Sequence, residues 1–279
     1  MYEKNLTIKM KVELNYRIPE LERPLEGNYQ LNQDILKYLF NNAKIDRKFN
    51  HYVKDKSVII IGPAGYLKGT KKGKFIESFD IIIRCNGFWK PPTDLQEDIG
   101  KRTTIRWHSG AEFPTTGGMW DIKDMMDYGV EYVCIQYPDY LDYFHDDIKK
   151  FKSKNEPYQI PFHNWSDLEL YMSFHHYLGT RVQCGMSAVV DMLFYDVKKI
   201  HVSGFSFHSE IKQGVIGGGD YLRGAKPNDY LQDDYNTEKH TFINHAQVPQ
   251  MKLLRELQNF DNRLSFDKET DTILKNYNI

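Results

Sequence analysis

The chain has no long hydrophobic run: its apolar stretches stop at about five residues, far short of the roughly 18 that a bilayer span needs. Its amino terminus shows no signal-peptide core either, so no membrane span or anchor is expected in this sequence. Cysteine is scarce. Cys85, Cys134 and Cys184 are the only three in 279 residues, which excludes a disulfide framework. An excess of one charge is also missing, since 37 Lys and Arg face 38 Asp and Glu. No nucleic-acid partner is therefore expected. Asp-x-Asp does not occur, so the common carboxylate clamp for a divalent metal has no candidate, and no metal or other cofactor is expected. The first strand is followed by neither G-x-G-x-x-G nor a P-loop ending in Lys-Ser/Thr.

What is present is the composition of a soluble globular protein, 41% hydrophobic and 27% charged. The length suits one large α/β domain, here 51–279, preceded by a peripheral arm and helix at 1–50. Ser57-Val58-Ile59-Ile60-Ile61 is β-branched without alternation, the pattern of a strand buried on both faces of a parallel sheet. Gly62-Pro63-Ala64-Gly65 breaks it, and Asp80-Ile81-Ile82-Ile83-Arg84 repeats the pattern before Cys85-Asn86. Two such strands with small-residue turns at their carboxyl ends predict a Rossmann-like, mostly parallel twisted sheet flanked by helices. Its ligand rim would lie at Gly62–Gly65 and Asn86. The segment 68–74 reads as a solvated basic loop, or as an attractor of anionic substrate.

The remaining elements follow in order. Asn32-Gln33-Asp34 caps a helix carrying Ile35, Leu36, Leu39 and Phe40. Strands are predicted at Thr104–Trp107, ending at His108-Ser109, and at Tyr132–Tyr137, with a helix around Met125 and Met126 between them. Residues 139–178 read as two surface helices, with the adjacent His175 and His176 on the surface rather than on a metal. Gln183-Cys184-Gly185 leads into a helix from Met186 and Ser187 to Tyr195, whose amino terminus offers free N–H groups to an anion. Lys199–Ser203 is a strand that turns at Gly204-Phe205. Residues 210–240, with Gly217-Gly218-Gly219, read as a loop able to close over substrate. A helix with Val248, Met251, Leu254 and Leu257 on one face follows His245.

Gly62, Gly65, Leu67-Lys68, Gly73, Asp80, Arg84-Cys85-Asn86 and Asp98-Ile99-Gly100-Lys101-Arg102-Thr103, in that order, resemble the long sialylmotif of glycosyltransferase family 29, the sialyltransferases. The stretch from Gln183 to Phe205 resembles the short sialylmotif, and His245 with its Leu-rich helix resembles the very short one. The pattern departs at three places. Pro63 stands where the family has Asn, Gln183-Cys184-Gly185-Met186 replaces a hydroxyl-bearing loop, and Gln250 occupies the position of a Glu. The family's disulfide partners are missing together, at positions near Ser57 and Tyr195, which implies folding in the cytoplasm.

The resemblance implies a GT-A-like variant of the Rossmann arrangement, with 51–279 a CMP-sugar-binding catalytic domain. It implies metal-independent, inverting transfer of sialic acid from CMP-sialic acid to a glycan acceptor. Gly62, Pro63, Ala64, Gly65 and Asn86 would hold ribose and phosphate. Gln183, Cys184, Gly185, Met186 and Ser187 would bind phosphate and the sugar carboxylate through backbone N–H groups, and His245 would be the general base. A neutral imidazole is suited to that role near pH 7. His108, Ser109, Gly204, Phe205, His208 and His240 are further candidate contacts. CMP-Kdo as donor, a catalytically weak glycan- or nucleotide-binding relative, and a nucleotide-dependent oxidoreductase are the alternatives. The sequence carries no signal for oligomeric state.

Overall fold

A computed structural model describes residues 33–110, 112, 117–136, 142–165, 168–178, 182–207 and 247–279. Among these residues, seven strands form one sheet in which every pairing is parallel. They are β1 (Ser57–Ile61), β2 (Ile81–Cys85), β3 (Ile105–His108), β4 (Tyr132–Ile135), β5 (Phe162–Asn164), β6 (Lys199–Ser203) and β7 (Leu264–Phe266), in the order β5-β4-β3-β2-β1-β6-β7. This is an α/β Rossmann-like fold. The order runs outward one way from β1 to β5 and then resumes on the other side with β6. Open α/β sheets have their ligand crevice at the carboxyl ends of the strands beside such a reversal, here between β1 and β6.

Both faces of the sheet are covered, which explains the unbroken Ile and Val runs. Val58, Ile60, Ile81, Ile83, Ile105 and Trp107 face one core. Helices α1 (Gln33–Asn42), α2 (Arg47–Val53), α7 (Leu168–Leu178), α8 (Cys184–Leu193), α9 (Val248–Phe260) and α10 (Lys268–Asn276) contribute to it. Their alternates Ile59, Ile61 and Ile82 face the opposite side, against Leu67, Ile76 from α3 (Gly73–Glu77) and Ile99 from α4 (Gln96–Ile99). Further along that side, Val133 and Ile135 pack against α5 (Ile122–Tyr128) and α6 (Asp142–Asn155) through Ile122, Met125, Ile148 and Phe151. Burying each such apolar side chain stabilises by about 1.5–3 kcal/mol, so β1 and β2, each with all five residues buried, anchor the sheet.

β1 and β6 form over the expected residues, and β2 and β3 begin one residue later than the patterning predicts. Asp80 stays outside β2 because its carboxylate accepts from the main chain and hydroxyl of Ser57, at 2.8 and 2.6 Å. The surface assignment of 139–178 needs correction. Leu170, Tyr171, Phe174 and His175 are buried, and β5 is an additional edge strand between the two helices. Edge position hides the signal: Phe162-His163-Asn164 has one apolar residue in three. The boundary expected at residue 50 lies inside α2, and Leu36 and Phe49 belong to the main core. The basic segment 68–74 is braced, with the Asp98 carboxylate accepting from Gly69 and Lys71 N–H at 2.7 and 2.8 Å. Among the described residues no helix is long and apolar enough to cross a membrane, and all three cysteines are free.

Two glycines with similar backbone angles separate packing from conformation. A Cβ on Gly204 (φ +78) would lie 2.4 Å from the Gly62 carbonyl oxygen, whereas one on Gly69 (φ +80) would meet nothing within 4 Å. Gly69→Ala should cost about 1 kcal/mol in urea unfolding, the penalty of the left-handed backbone alone. Gly204→Ala should cost about 3 kcal/mol or more, because overpacking against main chain adds to that penalty. Equal costs would show that the backbones separate easily.

Candidate functional site

The crevice at the β1/β6 reversal is built from main chain. Gly62 N donates to Ser203 O at 2.8 Å and Ala64 N to Gly204 O at 3.2 Å. Pro63 has no N–H. Of the four loop residues, only Gly65 therefore keeps an N–H without an acceptor among the described residues, at the start of the 3-10 turn Gly65–Leu67. The loop is small for a reason other than ligand approach. A Cβ on Gly62 would sit 2.3 Å from the Gly204 carbonyl oxygen and 2.9 Å from the Phe205 ring, and one on Gly185 2.7 Å from that ring. Phe205 is 8% exposed and wedges the two glycine loops together. The ring of Phe205, a candidate contact in the sequence, is thus engaged in packing.

Asp267 ties the far side of the crevice. Its carboxylate accepts from Ser203 Oγ at 2.6 Å, from Gly204 N at 3.3 Å and from Tyr66 Oη at 3.1 Å, while its other role is to cap α10 through Thr270 N at 2.8 Å. Gly204 N also donates to Tyr66 Oη, at 2.8 Å. Lys72 Nζ lies 3.7 Å from the same carboxylate. Burial, reinforced by Asp267, pushes the Tyr66 phenol up, so it stays protonated. Neither residue was singled out in the sequence. The Asp before Lys268-Glu269-Thr270 is legible as a helix cap, but its reach to β6 and Tyr66 is not.

At the tips of β2 and β3, Asn86 and Ser109 meet the start of α8. Asn86 Oδ1 accepts from Ser109 N at 2.9 Å and from Cys184 Sγ at 3.4 Å. The Ser109 hydroxyl has no partner among the described residues. In α8 the N–H groups of Gly185 and Met186 have no acceptor among the described residues, as expected for a helix's first turn. Ser187 departs from expectation. Its N–H already donates to Gln183 O at 2.7 Å, and its buried hydroxyl accepts from Trp107 Nε1 and donates to Cys184 O, each at 2.8 Å. Ser187 therefore braces the helix against β3, and neither its N–H nor its hydroxyl has a donor left for an anion. Gln183 N is likewise engaged, with Gln250 Oε1 at 3.4 Å.

His108 is a second correction. It is fully buried against Trp120, its Nδ1 accepts from Gly110 N at 3.0 Å, and its Nε2 lies 3.1 Å from Gly118 O. Those partners require the Nε2–H tautomer. Burial, with the Arg106 charge beside it, holds the ring well below its ordinary pKa. His108 is thus a neutral strut for 117–120. Arg84 and Arg106, paired in register on β2 and β3, are both fully buried. Arg84 donates to the carbonyls of Ile99 and Arg102 at the end of α4. Arg106 donates to Gly117 and Met119 carbonyls and lies between the Trp89 and Trp120 rings. Burial lowers Arg84 to about 10 and Arg106 to about 9, so both remain cations at neutral pH.

His245, His208 and His240 lie outside the described residues, as does the Gly-rich segment 210–240. The described chain resumes at Gln247, which is fully buried with neither amide atom hydrogen-bonded among the described residues. Gln250, one turn further on, makes the contact to Gln183 noted above. The start of α9 therefore adjoins the start of α8. Gly62, Gly65, Asn86, Ser109, Gly185, Met186 and Gly204 come together at the carboxyl edge of the sheet.

Beneath the site, α8 is held by a buried charge cluster. His163 on β5 has Nε2 2.9 Å from Asp191 of α8 and Nδ1 3.3 Å from Asp46, the cap of α2. Phe49 stacks on the ring at 4.3 Å. Burial by itself lowers the pKa of His163, but Asp191 and Asp46 outweigh it and raise it to about 9. The hydrogen bond from His163 leads in depressing Asp46 to about 2. Burial raises Asp191, with the imidazolium opposing it.

The sequence model of glycosyltransferase family 29 (sialyltransferase) matches residues 2–141, half of the chain. Among curated proteins, a type 2 lactosamine alpha-2,3-sialyltransferase from Rattus norvegicus is 41% identical over 51 residues, 18% of this chain and 15% of that protein. Its Homo sapiens counterpart is 39% identical over 51 residues, with the same shares. The chain therefore covers 15% of the length of these relatives. Among solved structures, the sialyltransferase CstII from Campylobacter jejuni in complex with the substrate analogue cytidine-5'-monophosphate aligns at TM-score 0.48 and 18% identity, over 76% of this chain and 80% of that one. A mammalian sialyltransferase in complex with Gal-beta-1-3GalNAc-ortho-nitrophenol aligns at TM-score 0.38 and 16% identity, over 64% and 67%.

The His163 cluster sets a pH dependence. A histidine whose folded pKa is raised stabilises fully below its unfolded value near 6.5, and that contribution disappears as pH rises through the folded value. Stability in urea should fall by about 1–3 kcal/mol between pH 6.5 and 9.5. His163→Gln should be less stable at pH 6.5 and lose most of this slope; an unchanged slope would place its origin elsewhere.

Proposed function

The chain belongs to glycosyltransferase family 29, the sialyltransferases, and from that we propose that it transfers sialic acid from CMP-sialic acid to a glycan hydroxyl. The observation that carries this reading is the meeting of three separated segments at the β1/β6 crevice. Asn86 contacts Cys184 at the start of α8, and Gln183 beside it contacts Gln250 of α9. Open α/β sheets take their ligands at this edge. The free N–H groups of Gly185 and Met186, at the positive end of α8, suit the phosphate of a cytidylate and the carboxylate of the sugar. The Gly65 N–H and the Asn86 amide are the other donors suited to ribose or phosphate.

In this reading the acceptor hydroxyl loses its proton to His245 as its oxygen bonds to the anomeric carbon. The bond from that carbon to the phosphate oxygen breaks on the opposite face, and CMP leaves as a phosphate monoester. Donors at the α8 terminus stabilise the charge that develops on it. No metal is needed for this step, consistent with the lack of Asp-x-Asp in the sequence. Pro63 and Gln250, at positions where the family has Asn and Glu, support CMP-Kdo as a second reading of the donor. Three free thiols support folding in the reducing cytoplasm.

The test is release of CMP from CMP-Neu5Ac and from CMP-Kdo, without acceptor and with a type 2 lactosamine or Gal-β1-3GalNAc acceptor. CMP release from CMP-Neu5Ac, unaffected by EDTA, is the expected result. His245→Ala should bind CMP as the parent does while transfer falls about 10²- to 10⁴-fold. Release from CMP-Kdo alone would reassign the donor, loss of turnover in EDTA would introduce a metal, and full activity of His245→Ala would remove it from the mechanism. A protein that binds neither donor refutes the reading.

A further inference from the structure

Asn86 closes β2 with φ +54, a left-handed conformation that few residues other than glycine adopt and that Asn tolerates better than most. Its side chain reaches across the tip of β3, where Oδ1 receives Ser109 N–H at 2.9 Å and the Cys184 thiol at 3.4 Å. A main-chain N–H at hydrogen-bond distance is met only by the oxygen of an amide, never by its NH₂. The orientation of Asn86 is therefore dictated by Ser109. Its Nδ2 has no acceptor among the described residues.

Cys184 is placed for this contact by a second set of bonds. Trp107 Nε1 donates to Ser187 Oγ and Ser187 Oγ to Cys184 O, each at 2.8 Å, stapling the first turn of α8 to β3. Cys184 Sγ then lies 3.6 Å from Trp107 O as well as 3.4 Å from Asn86 Oδ1. One donor on Oδ1 leaves the amide free to pivot about that bond, whereas two donors from different directions fix its plane.

We propose that Cys184 is a positioning residue which, with Ser109 N–H, locks the Asn86 side chain so that it presents only Nδ2, making Asn86 a hydrogen-bond donor to an oxygen of the bound nucleotide. This rests on the reading of the crevice as the CMP site. It assigns the thiol a function that the departure from a hydroxyl-bearing loop would otherwise leave unexplained. Sulfur reaches further than a hydroxyl oxygen, whose hydrogen bonds centre near 2.7–2.8 Å, so serine at 184 would make the same bond only after a small shift.

The test is calorimetric titration of the full chain with CMP, with melting of each ligand-free variant as a control for folding. Asn86→Asp keeps an acceptor for both Ser109 and Cys184 but puts a negative oxygen where Nδ2 was. Asn86→Ala should weaken CMP about tenfold, and Asn86→Asp should weaken it further than Ala. Cys184→Ala should weaken CMP by about three- to tenfold, and Cys184→Ser should recover at least half of that loss on a logarithmic scale. A purely structural Asn86 predicts the opposite order, with Asp close to the parent. Asn86→Asp binding as tightly as the parent, or Cys184→Ala binding unchanged, would overturn the inference while leaving the CMP site intact. A parent protein that binds no CMP would instead overturn the site and the lock together. If Cys184→Ala does not fold, Cys184→Val, which keeps the bulk and lacks the donor, takes its place, and CMP binding by it as tight as the parent's would overturn the lock.

Discussion

The contact on which the rest depends is between two peptide units. Gly62 and Gly204, at the ends of the adjacent strands β1 and β6, approach so closely that a Cβ on either would fall within 2.4 Å of the other's carbonyl oxygen. That approach lets Gly62 N and Ala64 N hydrogen-bond to Ser203 O and Gly204 O, extending the pairing of the two strands past their formal ends. It also leaves room on one side for the Phe205 ring, against which Gly185 packs. The spacing between the first loop and α8 is therefore set by one phenyl ring between two glycines. On the other side Asp267 and Tyr66 take the remaining main-chain donor of Gly204.

Charge is distributed around this contact in a consistent way. The groups aimed at the crevice are neutral donors, namely backbone N–H groups and the Asn86 amide. Of the buried charges, Asp267 borders the crevice, where it accepts from Ser203 Oγ and Gly204 N, and the others lie to the side and beneath. Arg106 is held by backbone carbonyls, and so are Nε and Nη2 of Arg84, whose Nη1 has no partner among the described residues; carbonyl oxygens carry enough partial charge to hold a guanidinium away from water. His163 is compensated by Asp46 and Asp191. Donors that are fixed in place and need no proton exchange suit the anion binding proposed for this edge, because they do not have to reorganise when the anion arrives.

Several expectations fail for one common reason: a residue type that suggests chemistry had already been committed to packing or bracing. His108, Ser187 and Phe205 all lie near the carboxyl edge of the sheet, as their positions after β3, in α8 and after β6 require. Once folded, however, His108 pins 117–120, Ser187 staples α8 to Trp107, and Phe205 fills the gap between two glycines. Sequence places a side chain along its element; which partners consume its hydrogen-bonding capacity depends on elements far away in the chain. The same applies to β5, whose single buried His163 reads as polar until Asp191 and Asp46 are seen beside it.

What the sequence determined by itself was local. The uninterrupted Val-Ile-Ile-Ile run defines β1 to the residue, as a strand covered on both faces requires, and β6 is legible from its β-branched Ile200 and Val202 before the Gly204 turn. Gly62 and Gly185 mark where the chain must stay thin, and Cys184 with Gln250 marks where it departs from its family. Only the tertiary structure decided what those residues meet. Asn86 and Cys184 are 98 residues apart and Tyr66 and Asp267 201, and no periodicity or local motif encodes a contact across such a distance. Those contacts exist because hydrophobic burial on both faces stacks the strands in one order, and that order brings the loops at their carboxyl ends together.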